Sequence, residues 1–122
     1  MDLLSVVLCC TDASTTLRVT GELDVCSAHV LSDAVSRAVQ IPGTVLALEM
    51  SGVGFIDCAG IGALLDVVSK LERLPVQLLL VNASPCVQAI IFHCGLSHRF
   101  DFVIDTAELP VLDLPLPRPA SM

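Results

Sequence analysis

Short apolar runs alternating with segments of helical period constrain this chain most. Val45–Leu48 is apolar throughout, and Val76–Val81 is nearly so. Runs of this length and kind form central strands covered on both faces. Between them, Ile61, Leu64, Leu65, Val68 and Leu71 recur at the spacing of an amphipathic helix. A strand, a helix and a second strand in succession make a crossover unit, right-handed when the two strands are parallel.

The flanking segments extend the pattern. Leu3–Cys10 is a β-like apolar run, and Thr11–Ser14 is a turn of side-chain-bonding residues. Thr16–Thr20 then alternates, with Leu17 and Val19 on one face, as a hairpin partner would. From about Ser27, apolar residues recur at helical spacing until Pro42-Gly43 stops them. Pro75 ends the second helix. Ser84 and Pro85 suit the N-cap and first position of a third helix, and Gly95 suits the residue after its end. Phe102–Ile104 is a last short strand. The expected order is β-β-α-β-α-β-α-β, an α/β fold with one mixed sheet packed with helices. Residues 1–109 form that domain. Prolines 110, 115, 117 and 119 exclude regular structure from 110–122, which is expected to be an extended, mobile tail.

Length and charge remove several function classes. With 122 residues the chain holds one core. A net charge of −7 with six Lys and Arg repels phosphate backbones and anionic lipid, so neither nucleic acid nor membrane is an expected partner. No apolar run approaches the ~18 residues of a membrane span. Leu3–Cys10 lacks the basic flank and cleavage site of a secretory signal, so a cytoplasmic domain is expected. Six cysteines, at 9, 10, 26, 58, 86 and 94, contain no C-x-x-C; apart from Cys58 they read as small buried hydrophobes. His29, His93 and His98 show no ligand spacing and no oriented relation to Cys58. No metal, cofactor or catalytic residue is expected.

The stretch from Gly54 to Gly62, GFIDCAGIG, carries the functional signal. An apolar segment ends at Asp57, whose carboxylate can cap the helix that follows. Cys58 then stands on the surface at the positive end of the helix dipole. Asp24 either ties its own turn or contacts a partner. Glu49 reads as a solvated acid at a strand end, Ser51 as a turn residue bonding backbone, and Gly21, Gly52 and Gly54 as loop residues.

Gly21-Glu22-Leu23-Asp24, Leu48–Val53, Phe55–Leu65 and Ser84-Pro85 follow in the order and spacing of STAS domains, and the chain resembles a stand-alone anti-sigma factor antagonist of that family. The resemblance spans roughly residues 3 to 109 and implies a non-enzymatic regulator. Such an antagonist binds an anti-sigma factor with a serine-kinase fold and frees a sigma factor for transcription. The kinase phosphorylates a Ser or Thr directly after the acid at the second helix start, which breaks the complex. Carried over, the phosphoacceptor position is Cys58, and the partner-binding residues are Asp24, Asp57, Cys58, Ala59, Gly60, Ile61 and Gly62. Glu49 stands where the family usually has Asp.

The physics of such a switch is simple. A phosphate adds about −1.5 to −2 charges, which beside Asp57 would repel an acidic or apolar docking surface. A thiol is a poor acceptor for a serine kinase, so the usual switch is expected to be missing. Three readings stay open: a permanently binding-competent antagonist, a redox-tuned one, and a position engineered to block phosphorylation. For the redox reading, the helix terminus favours the reactive thiolate and Asp57 opposes it. An alternative role is an accessory subunit of a membrane transport ATPase. Apolar excess in Leu3–Cys10 and the tail leaves a homodimer open.

Overall fold

The computed structural model describes residues 3–10 and 14–104. In chain order it has strands β1 (Ser5–Cys10) and β2 (Ser14–Leu23), helix α1 (Ala28–Ala38), strand β3 (Val45–Ile56), and helix α2 (Cys58–Leu71). Strand β4 (Gln77–Val81), helix α3 (Pro85–His93), a 3-10 turn (Ser97–Arg99) and strand β5 (Phe102–Val103) complete it. The element order is the expected one. The tail at 110–122 and the turn residues 11–13 lie outside the described residues.

The five strands lie side by side in sequence order. β1 and β2 are antiparallel, and β2 to β5 are parallel. Each parallel crossover steps to the next strand in the same direction, and right-handed crossovers then put every helix on the same face. The core bears this out. Leu17, Val19, Leu46, Leu48, Met50 and Leu80 from one face of the sheet pack with Leu31 and Val35 of α1, Leu64 and Leu71 of α2, and Val87 and Ile91 of α3. Coverage on both faces, expected for Val45–Leu48, does not occur. Val45, Ala47, Leu79 and Val81 point away from the helices and belong to no part of this core.

β3 runs twelve residues, well past Leu48. Ser51, Gly52 and Gly54, expected in a loop, continue the strand, and Gly52 pairs with Thr20 of β2. A Cβ on Gly52 would come within 2.6 Å of Thr20 Cγ2, so this glycine marks a close strand approach instead of a turn. Gly21 likewise lies inside β2, at φ 102°, between two register shifts. Such a bulge bends the end of the strand toward α1. Ser51 does not bond backbone; its hydroxyl donates to Glu49 Oε2 at 2.7 Å. Glu49 is mid-strand and also accepts from Asn82 Nδ2 at 3.3 Å.

Pro85 opens α3 and Ser84 is its N-cap residue, as expected, but the Ser84 hydroxyl caps nothing. Instead it is buried and donates to the Val53 carbonyl at 2.6 Å, while the Ser84 N–H donates to Met50 O at 3.2 Å. These bonds clamp the start of α3 onto β3. The Cys86 thiol reaches the same carbonyl at 3.2 Å, a weaker donor. Replacing Ser84 by alanine is therefore expected to cost about 1–2 kcal/mol, read as a lower urea midpoint at unchanged slope. At its other end α3 closes with Gly95 N–H on Phe92 O and Leu96 N–H on Ile91 O, both 3.0 Å, the paired bonds of a Schellman stop.

The cysteines do not follow the burial expectation. Cys9, Cys10, Cys26 and Cys94 are exposed free thiols, and Cys86 is half-buried. Cys9 and Cys10 occupy an edge strand, Cys26 a turn and Cys94 a helix end, none of which the core covers. Among the described residues no helix is long and apolar enough to cross a membrane.

Candidate functional site

The C-terminal ends of β2 and β3 deliver two acidic turns to one rim of the sheet. Leu23 pairs with Ile56, so Asp24 and Asp57 leave adjacent strands at the same level. The Asp57 N–H donates to Leu23 O at 3.4 Å, which ties the two turns together.

Each carboxylate is used by its own turn. Asp57 has extended backbone geometry and accepts the Gly60 N–H at 3.0 Å, while its carbonyl takes the Ile61 N–H at 3.0 Å. This is the N-cap that the sequence indicated. Asp24 Oδ1 accepts the N–H groups of Cys26 at 3.0 Å and Ser27 at 3.1 Å. Its own N–H donates to Ser27 Oγ at 3.0 Å, and that hydroxyl donates to Glu22 O at 2.8 Å. Asp24 thus ties its turn, one of the two roles considered for it.

Gly60 explains how closely the turns approach. It is buried, and a Cβ there would overlap the Leu23 carbonyl oxygen and lie 2.7 Å from Ile56 Cγ1. Ile61 is also buried, in the core beneath the turn. Of the seven residues named from the sequence, Cys58 is exposed, and Asp24, Asp57, Ala59 and Gly62 are half-buried. Gly60 and Ile61 support the surface from below. Cys58 is the first residue of α2, its side chain free of the cap beneath it.

Two apolar residues that sequence reasoning passed over flank this rim. Val25 is 74% exposed beside Asp24, and Phe55 is 47% exposed two residues before Asp57. A large apolar residue next to a turn acid was the available signal. Glu49 and Ser51 lie well back along β3, on the sheet face away from the helices, and do not join the site.

A single sheet with helices on one face and a capped, exposed helix start at the strand ends defines a two-layer α/β domain built to present one surface position. The family profile of the STAS domain matches residues 5–111, so the chain belongs to the STAS-domain family. Its fold is similar to that of an anti-sigma factor antagonist from Mycobacterium paratuberculosis, at 24% identity and TM-score 0.73, covering 90% of this chain and 88% of that one. It is also similar to the Bacillus cell fate determinant SpoIIAA in its phosphorylated form, at 24% identity and TM-score 0.65, with 84% and 93% covered. A murine Slc26a9 anion transporter in the inward-facing state carries the same fold, at 21% identity and TM-score 0.68; the match covers 86% of this chain and 21% of that one. No curated protein matches the sequence.

Proposed function

We propose that this protein is an anti-sigma factor antagonist that binds a kinase-type anti-sigma factor through the Asp24 and Asp57 turns, and that Cys58 fills the position the kinase would phosphorylate. The observation that carries the reading is the placement of Cys58: exposed, at the first position of α2, directly after the capping Asp57. Asp24, Cys58, Ala59 and Gly62 supply the contact surface, with Asp57, Gly60 and Ile61 holding its shape. Val25 and Phe55 add apolar area at its margin, where desolvated side chains contribute most to binding. Likeness to structures of antagonists supports the role.

A thiol at position 58 leaves the docking surface permanently without phosphate. Incubating wild type and Cys58→Ser with the cognate kinase and labelled ATP tests this directly. Label is expected in the serine variant alone; label in neither would remove position 58 from the kinase's reach. Failure to capture any anti-sigma factor in reducing buffer would remove the role itself.

The likeness to an anion transporter favours one second reading, a domain that serves a membrane transport protein. Co-purification with a transporter instead of an anti-sigma factor would decide for it.

A further inference from the structure

The reverse face of the sheet, left bare by the one-sided helices, is apolar where a solvent-facing sheet would be polar. Val7 on β1, Val45 and Ala47 on β3, and Leu79 and Val81 on β4 share it by register and stand outside the core. Val7 is 54% exposed. A contiguous apolar patch of this kind on a folded domain marks an interaction surface.

Charge says what covers it. The chain carries −7 overall, yet before the register shifts this face holds one cation, Arg18, and one anion, Glu49, among the described strand residues. They are direct neighbours across β2 and β3. A basic partner would find no excess of acid here, and an acidic one no excess of base. A second copy of the same face fits. A two-fold axis lying between the two layers, along the strands and midway between β2 and β3, places Arg18 of each copy over Glu49 of the other. The aliphatic residues on either side then meet across the layers. Such an interface is self-complementary, as a two-fold contact must be, and it is the aligned sheet-on-sheet packing that buries apolar strand faces.

We propose that this chain forms a two-fold dimer through the reverse face of its sheet, with Arg18 and Glu49 paired between copies. The face lies apart from the helix-start surface, so both can be occupied at once.

Sedimentation velocity over a concentration series tests it, using wild type, Arg18→Glu, Glu49→Lys, and an equimolar mixture of the two variants. Wild type is expected to dimerise. Each variant alone sets like charges opposite one another and is expected to weaken dimerisation roughly 10- to 100-fold. The mixture restores both pairs and is expected to dimerise within about threefold of wild type. That recovery cannot come from a folding defect. A wild type that stays monomeric throughout overturns the proposal. So does a dimer that both variants leave intact, which would assign the contact to another surface such as the β1 edge.

Discussion

Gly60→Ala is expected to lower the thermal midpoint by roughly 10 °C, the effect of about 2 kcal/mol in a domain of this size. In an ordinary helix the same substitution would stabilise, by up to about 1 kcal/mol. Here the added methyl meets the Leu23 carbonyl oxygen and Ile56 Cγ1. The first is backbone and held by strand pairing, so it cannot swing aside. Overpacking of this kind costs about 1–3 kcal/mol or more, which outweighs the propensity gain. To relieve the overlap, the start of α2 must move away from β2. That movement stretches the Asp57–Leu23 bond and displaces Cys58, so partner binding should fall even in the folded variant. Gly62→Ala is the matched control. A Cβ there meets nothing within 4 Å, and its helix should be as stable as wild type or slightly more so. Equal midpoints for the two variants would show that the approach of α2 to β2 is not tight.

Cys58→Glu is expected to weaken binding to the anti-sigma factor by about 2–3 kcal/mol, roughly 30- to 150-fold. A carboxylate at the first position of α2 places permanent negative charge beside Asp57, as a phosphate would. It should not unfold the domain. The helix N-terminus favours negative charge, and the exposed side chain at 58 has room for a longer group. Loss of affinity with an unchanged melting curve therefore locates the effect at the interface. Cys58→Gln, of similar size but neutral, should bind within about threefold of wild type, because no charge is desolvated. Titration calorimetry with the purified partner measures all three. Equal affinity for the glutamate variant would place position 58 outside the contact.

Local chemistry made much of this fold legible. Pro85, Pro75 and Gly95 bound helices where they stand because ring geometry and left-handed backbone are decided within one or two residues. Asp57 was readable as a cap for the same reason. What escaped depends on neighbours distant in sequence. Ser51, Gly52 and Gly54 look like a loop until β2 is laid beside them, and then they are strand. The Ser84 hydroxyl has a local use open to it, yet the Val53 carbonyl, 31 positions earlier, takes it. Cysteine is apolar enough for a core, but a residue on an edge strand has nothing above it, so Cys9 and Cys10 face solvent. The apolar run Val45–Leu48 promised two covers for its sheet. Sequence order across the sheet supplied one, and the second has to come from outside the chain's own helices.

The turns that carry Asp24 and Asp57 hold a last consequence. Each carboxylate is occupied by backbone N–H groups of its own turn, so neither is free to reach toward a partner without undoing the loop that displays it. The rim works as a mould set before use. Little conformational entropy remains to be lost when something docks on it, and discrimination rests on the shape of the rim more than on rearrangement after contact.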